Sequence, residues 1–290
     1  MSSIREKGYH HWDGQFLDRP RAFWPIARTG IKLAFGRKHF KLGYTFSFLP
    51  AMIYAAIIYI SERLEDFKFI AQGGDKLLQV NPNFFKSYLT LDLLYFAILI
   101  LMSMGGAGLL ADDFRHKAVQ LYFARPLTKA DYLLGKAGVV IFFVGTLTLV
   151  PAVLLYILKL LFAGSFAFFL EYPWLILSIL AFSLFMILFF TAFILLASSL
   201  SNNRNYVISI IFGFYFFSEI LRGIFSVIFR SPFSALFSMA ANLKQVAAGF
   251  FLVKPPYDYP WYLSFLLISV FCFLSYLVVK HKVRGVEVIK

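Results

Sequence analysis

Six long apolar runs constrain this chain more than any other feature. The run at 172–203 carries no charged residue over its whole length, and neither does the run at 42–60. A helix needs about 20 apolar residues to cross the hydrocarbon core of a bilayer. A soluble domain of 290 residues cannot bury a chain that is 60% hydrophobic and only 15% charged. The sequence therefore predicts an all-α polytopic membrane protein with six transmembrane helices. The predicted spans are 42–60, 88–111, 133–158, 173–200, 205–229 and 259–279.

The first part of the chain, residues 1–41, is predicted as a polar cytoplasmic lead followed by an amphipathic helix. Trp24-Pro25 begins that helix, since proline is tolerated in a first turn. Arg28 and Lys32 lie beside an apolar stripe, a pattern typical of a helix in the membrane interface. A soluble helix packed on a partner is the alternative. Residues 42–290 are predicted to form the six-span domain.

Signals between the runs predict how the spans are joined and bent. Pro50 is expected to kink the first span. Residues 62–86 are expected to form a loop, since they contain an Asn-Pro-Asn turn signal. The glycine-rich stretch at 105–108 permits close packing of another helix or a bend in the second span. Residues 231–254 are too broken to cross the membrane, so one or two short outer helices are expected between the fifth and sixth spans.

Lysine and arginine are distributed unevenly between the two sides of the predicted spans. With the N-terminus inside, the inner segments carry 18 of these residues and the outer segments carry 7. The positive-inside rule therefore places both termini in the cytoplasm. The net charge of +13 is then explained by topology and by contact with anionic lipid, without a nucleic-acid partner.

A charged segment at 111–132 joins the second and third spans. Asp112 and Asp113 are expected in the first turn of a helix, where free N–H groups favour acids. An apolar stripe at helical spacing follows them and consists of Phe114, Ala118, Leu121 and Tyr122. Arg125 and Pro126 are expected to end this helix, because the residue before a proline avoids the α region.

A second helix is predicted to begin at Thr128, which forms a capping-box pattern with Asp131. It continues through Gly135 and Lys136 into the third span. The acid pair, the Ala-Arg-Pro-Leu sequence at 124–127, Asp131-Tyr132 and Leu134-Gly135-Lys136 together resemble the cytoplasmic segment of ABC-2 type exporter permeases. The alternative is an ordinary charged loop with good helix caps.

The resemblance implies a membrane subunit of an ABC exporter with an N-terminal elbow helix and a cytoplasmic coupling helix. It implies two separate ATPase subunits that carry ATP and Mg, and a second permease subunit, identical or homologous. It also implies a bacterial inner membrane location. The residues expected to couple to the ATPase are Asp112, Asp113, Phe114, Arg115, Lys117, Ala118, Leu121, Tyr122, Arg125 and Pro126.

The sequence contains no recognisable catalytic or cofactor-binding pattern. It lacks the phosphate-binding G-x-x-x-x-G-K-[ST] motif, the zinc motif H-E-x-x-H and the serine-hydrolase motif G-x-S-x-G. We therefore expect a non-catalytic chain without a metal or cofactor of its own, and ATP hydrolysis on a separate chain.

Two charged residues interrupt the fifth span three residues apart, Glu219 and Arg222. Charges inside a membrane are costly and often mark function, so they are candidates for a gate or a cargo contact. A structural ion pair is the favoured alternative. An ion-coupled secondary transporter or channel, using Asp92, Glu219 or Lys159, is a rival to the ABC interpretation. A non-transporting scaffold that recruits cytoplasmic proteins is a third hypothesis.

Overall fold

The computed structural model describes residues 23–63, 79–123 and 127–284, and all regular structure in these ranges is helical. The predicted polar lead before residue 23, and Arg125 and Pro126, lie outside the described residues, as does the side chain of Leu121. The helices are α1 (Phe23–Phe35), α2 (Lys38–Phe46), α3 (Leu49–Glu62), α4 (Pro82–Leu89), α5 (Asp92–Gly105), α6 (Gly108–Arg115), α7 (Ala118–Phe123), α8 (Lys129–Leu147), α9 (Leu149–Ala163), α10 (Ala167–Glu171), α11 (Leu175–Leu200), α12 (Arg204–Phe229), a 3-10 helix (Pro232–Phe237), α13 (Met239–Phe250) and α14 (Trp261–Arg284).

Six helical stretches are long and apolar enough to cross a membrane, which confirms the predicted number of spans. They are Lys38–Glu62, Pro82–Arg115, Lys129–Ala163, Leu175–Leu200, Arg204–Phe229 and Trp261–Val283. The chain is therefore a multi-pass helical membrane protein. The first three stretches each contain more than one helix, whereas the last three are single helices.

The first span is interrupted near Pro50, where the sequence predicts a kink. Its two helices, α2 and α3, meet at Ser47 and Phe48. Pro50 lies in the first turn of α3, a position where its missing N–H removes no helical hydrogen bond. The bend thus falls just before the proline.

The third span is interrupted at Thr148, shortly before Pro151. In a continuous helix the N–H of residue 151 would bond to the carbonyl of Leu147, but proline has no N–H to donate. The Tyr88 hydroxyl, from α4, donates to that carbonyl oxygen instead, at 3.0 Å. The break is therefore stabilised by a side chain from the second span.

The prediction of a loop over residues 62–86 is wrong at its C-terminal end, because α4 begins at Pro82. Asn81 caps this helix: its side-chain oxygen accepts a hydrogen bond from the Phe84 N–H at 3.2 Å. Proline at the first helical position after an asparagine is a helix-start signal as well as a turn signal. The second span accordingly begins earlier than the sequence prediction placed it.

The fourth span, α11, lies at the centre of the bundle and packs against α8, α9, α14 and α6. Its residues are apolar around the whole circumference, as expected for a helix without a solvent-facing side. Phe182 and Phe190 on this helix are fully buried. One side of α11 nevertheless exposes Leu177, Leu184 and Leu188, and α12 likewise keeps large apolar side chains exposed, among them Phe217 and Val227.

Helix α1 packs closely along the first half of α8, and small residues make this contact feasible. A Cβ atom at Gly135 would lie only 2.6 Å from the Ile26 side chain, and one at Gly138 would lie 3.0 Å from Ala27. Such small-residue contacts let helices approach closely in membranes. The predicted helix at Trp24 is thus confirmed, while its placement in the membrane interface stays a prediction.

Short helices follow the fifth span, as the sequence predicts for residues 231–254. They are the 3-10 helix and α13. Gln245, fully buried on α13, donates from its side-chain nitrogen to the carbonyls of Tyr257 and Tyr259 at 3.0 and 2.5 Å. The two short helices are thereby fixed to the segment that leads into the sixth span.

The close α1–α8 contact predicts that Gly135→Ala destabilises the protein, because the new methyl group would overlap Ile26 and the Phe23 carbonyl. Overpacking of this kind costs about 1–3 kcal/mol. Gly213→Ala is the matched control, since a Cβ there meets nothing within 4 Å on a helix of similar character. Thermal unfolding in detergent micelles should show a lower midpoint for Gly135→Ala and an unchanged or higher one for Gly213→Ala. Equal midpoints would contradict the packing.

Candidate functional site

The second span is interrupted where its glycines lie, between α5 and α6. The N–H groups of Gly106 and Ala107 both bond to the carbonyl of Met102, at 2.7 and 2.8 Å, so the regular helical ladder is lost there. A Cβ at Gly106 would lie 2.8 Å from the Ile194 side chain of α11. The glycines therefore serve both expected purposes, because the helix bends at the same point at which another helix packs against it.

The Ser198 hydroxyl, from α11, satisfies the backbone groups that this interruption leaves free. It donates to the carbonyl of Ala107 at 2.8 Å and accepts from the N–H groups of Leu110 and Ala111 at 2.9 and 3.2 Å. Ser198 is fully buried. One side chain of the fourth span thus anchors the first turn of α6.

A buried ion pair attaches α6 to the third span. The Lys136 ammonium group lies 2.6 Å from a carboxylate oxygen of Asp113, and the two side chains are only 10% and 15% exposed. The Tyr132 hydroxyl donates to the same carboxylate oxygen at 2.7 Å. The Lys136 ammonium also lies over the rings of Tyr122 and Tyr132, at 5.6 and 5.5 Å from their centroids. Burial, and then the charge of Asp113, raises the pKa of Tyr122, so its hydroxyl stays protonated at neutral pH.

Residues 108–123, which comprise α6 and α7, are called the connector below. They differ from the single amphipathic helix that the sequence predicts. Asp112 and Asp113 lie near the C-terminal end of α6 and not in a first turn, so that prediction is wrong. The helix then stops: His116 caps it, and Lys117 adopts a left-handed conformation with φ of 54°. Because this conformation is rare for residues other than glycine, local sequence did not indicate the break.

The predicted coupling residues therefore divide into inward-facing and outward-facing groups. Asp113 is occupied by Lys136 and Tyr132, and Phe114 packs partly against the core. Arg115, His116 and Lys117 are exposed at the bend between the two helices of the connector. Ala118 and Tyr122 are partly buried, and the Asp112 side chain lies against Gly108 of its own helix.

The capping box predicted at the start of the third span is confirmed. The Thr128 hydroxyl accepts from the Asp131 N–H at 3.2 Å, and the Asp131 carboxylate accepts from the Thr128 N–H at 3.3 Å. The capped turn fixes where α8 begins, and it is followed by the two residues that hold α6 and α1, Lys136 and Gly135. The residues of this cytoplasmic-segment pattern that the structure describes, such as Asp113, Asp131 and Lys136, thus make contacts within the chain.

A second polar group lies toward the other ends of these spans and is called the far-end cluster. It consists of Asp92, Glu219, Arg222, Ser238 and Lys244. Glu219 pairs with Arg222 at 3.0 Å and also accepts a hydrogen bond from the Ser238 hydroxyl. Lys244 pairs with Asp92 at 2.7 Å. Sequence analysis missed Ser238 and Lys244, and the distance of 152 residues between Lys244 and Asp92 explains why no local pattern pairs them.

The far-end cluster connects three elements rather than lining an isolated site. Glu219 belongs to α12, Ser238 caps α13, and Asp92 begins α5. The side chains of Glu219 and Arg222 are 28% and 37% exposed. These contacts attach α13 to the second and fifth spans.

Metal ligation finds no support in the described part of the chain. No group of three or more His, Cys, Asp or Glu side chains lies close enough there to hold a metal ion. Neither the known protein-family models nor the curated proteins contain a match to this chain. The proposal of a function therefore rests on the geometry of the connector and of the far-end cluster.

Removing the Ser198 hydroxyl should weaken the attachment of α6. Ser198→Ala leaves one carbonyl and two N–H groups buried without a partner, at a cost of about 1–3 kcal/mol. Ser199→Ala is the control, since the neighbouring hydroxyl bonds only to a carbonyl of its own helix. Hydrogen exchange of residues 107–111 should accelerate in Ser198→Ala only. Unchanged exchange in both variants would show that the hydroxyl does not anchor the connector.

The Asp113–Lys136 pair should behave as a coupled unit. Asp113→Asn or Lys136→Met alone leaves a charge largely buried without its partner, which costs about 3 kcal/mol or more. The double variant should cost less than the two single changes together. The exposed Asp92–Lys244 pair provides the comparison: Lys244→Met should cost less than about 1 kcal/mol. Denaturant unfolding in detergent measures both, and additive single costs would refute the coupling.

Proposed function

We propose that this chain is the membrane-spanning subunit of an ATP-driven transporter of the ABC-2 type and that it exports a substrate. The observation that supports this most strongly is the construction of the connector. Its exposed bend, at Arg115 to Lys117, is available to a partner. Its base is fixed by buried contacts to the third and fourth spans through Lys136 and Ser198.

A force applied at the exposed bend would reach the bundle through these contacts. Movement of α6 displaces Asp113 and with it Lys136 on α8, because breaking this buried pair is costly. The same movement pulls on α11 through Ser198. Since the second span is already interrupted at Gly106, α6 can reorient without disrupting the hydrogen bonds of α5.

The energy for this movement comes from another chain in this proposal. The sequence lacks a phosphate-binding motif, so ATP and Mg would be held by two separate ATPase subunits docked on the connectors of two permease chains. ATP binding shifts the transporter between inward-open and outward-open states only if the two states bind the ATPase pair differently. This chain itself would therefore be non-catalytic.

The far-end cluster has a structural role in this proposal. Glu219 is already engaged by Arg222 and Ser238, and these contacts attach α13 to the fifth span. Opening of the pathway at this end would have to move α13, so the same contacts would resist opening. This accords with the structural ion pair favoured from the sequence.

Ion coupling, the rival mechanism, is not favoured by the arrangement of the charges. The three residues that it would use are Asp92, Glu219 and Lys159. Each has an opposite charge as its partner within the chain, namely Lys244, Arg222 and Glu62. A coupling site needs a group that is free to take up and release its ion during each cycle.

Charge reversal at the exposed bend should uncouple the ATPase from the membrane subunit. Arg115→Glu is preferable to a change at Phe114, because Phe114 packs against the core and its loss would perturb folding. Lys282→Glu is the matched control: it is also exposed and lies at the end of the sixth span. We expect Arg115→Glu to reduce co-purification of an ATPase from native membranes, and the ATPase activity that co-purifies, by about tenfold.

The control variant should retain both properties. Wild-type ATPase recovery with Arg115→Glu would remove the proposed coupling role of the connector. Transport that persists without ATP and collapses with an ion gradient would instead support the secondary transporter.

A further inference from the structure

Two arginines converge on one backbone carbonyl at the interruption of the second span. Arg37, in the turn between α1 and α2, donates to the carbonyl of Met104 at 2.7 Å. Arg204, the first residue of α12, donates to the same oxygen at 2.5 Å. Because both nitrogens lie on one oxygen, they are at most about 5 Å apart.

The carbonyl cannot neutralise these two positive charges. Within the described residues, no carboxylate lies within ion-pair distance of either guanidinium group. Asp112 is near enough to interact electrostatically with Arg204 but forms no ion pair with it. Two like charges this close favour the arrival of an anion.

The donors of the two guanidinium groups are mostly unused. Each group carries five N–H donors, and each directs one bond to Met104. The Nε–H of Arg204 is buried and has no hydrogen-bond partner. Planar guanidinium groups bind phosphate with two parallel hydrogen bonds, which suits a pair with free donors.

The surroundings of the arginine pair combine basic and apolar character. Arg37 is exposed, and α2, which follows directly, exposes Leu42 and Phe46. Tyr206 is exposed two residues after Arg204, in the first turn of α12. A free phosphate ion would use only the arginines, whereas a lipid would use the arginines for its headgroup and the apolar side chains for its acyl chains.

We propose that Arg37 and Arg204 form a binding site for the phosphate group of an anionic lipid. The headgroup phosphate accepts hydrogen bonds from both guanidinium groups and offsets one of their two positive charges while they remain bonded to Met104, so the lipid binds at the bend of the second span. Its occupancy stiffens the interruption of the second span at Gly106. The site requires only the fold described above and does not depend on the proposed transport function.

The test compares purified full-length protein with the double variant Arg37→Gln/Arg204→Gln. Native mass spectrometry measures retention of dioleoyl phosphatidylglycerol against dioleoyl phosphatidylcholine. We expect the double variant to bind phosphatidylglycerol about a hundredfold more weakly, since each of the two lost charged contacts contributes about a factor of ten. The control, Arg28→Gln/Lys282→Gln, removes the same charge from two exposed positions and should bind as the wild type does.

Millimolar inorganic phosphate distinguishes the two sources of the anion. If phosphate alone slows hydrogen exchange at residues 104–111 of the wild type as much as the lipid does, the site recognises free phosphate and the lipid assignment is overturned. Equal lipid binding by the double variant and the control would overturn the site itself.

A measurement on the unmodified protein covers the case in which the double variant fails to fold. In nanodiscs, phosphatidylglycerol should slow hydrogen exchange at residues 104–111 relative to phosphatidylcholine. Residues 280–283, which include Lys280 and Lys282, provide the internal reference. Equal slowing in both segments would show a non-specific surface effect and would refute the site.

Discussion

Backbone groups released inside a membrane span must find partners within the protein, and this constraint explains the polar contacts of the bundle. Hydrocarbon offers no hydrogen bonds, so each unsatisfied N–H or carbonyl costs several kcal/mol. Three spans of this chain are interrupted, and in the second and third a side chain from another span bonds to the freed backbone groups. Tyr88 donates to Leu147 in the third span, and Ser198 bonds with three backbone groups of the second. The interruptions of the second and third spans are thus points of attachment between spans.

The same constraint explains how the connector is attached to the bundle. A cytoplasmic loop that contacts only water would absorb a push from a partner. This segment instead begins on Ser198 and continues to Asp113, whose carboxylate is held by Lys136 and Tyr132. Among the connector side chains that the structure describes, the exposed ones lie at the bend, at Arg115, His116 and Lys117. A base held by buried contacts and an exposed bend are the two features on which the proposed coupling rests.

Electrostatics differ between the two ends of the bundle. At the far end, the charges of Asp92, Glu219 and Lys159 are all paired within the chain. At the end where α1 lies, Asp113 and Lys136 are also paired, but Arg37 and Arg204 share one carbonyl and have no carboxylate partner among the described residues. Paired charges fix elements in place, whereas unpaired ones attract ligands from outside. The bend of the second span is therefore where an anion is expected to bind.

The sequence by itself determined the class of the protein, the six spans, the helix at Trp24 and the cap at Thr128. These features depend on composition or on residues within a few positions of each other, so local patterns report them. Only the tertiary structure decided that Asp113 faces inward, that the connector bends at Lys117 and that Arg204 reaches Met104. Partners such as Arg204 and Met104 lie 100 residues apart in the sequence. The close packing that brings them together produces no periodic pattern in the sequence. The same packing overrode the apolar stripe of the connector, since its helix stops where Asp113 meets the third span.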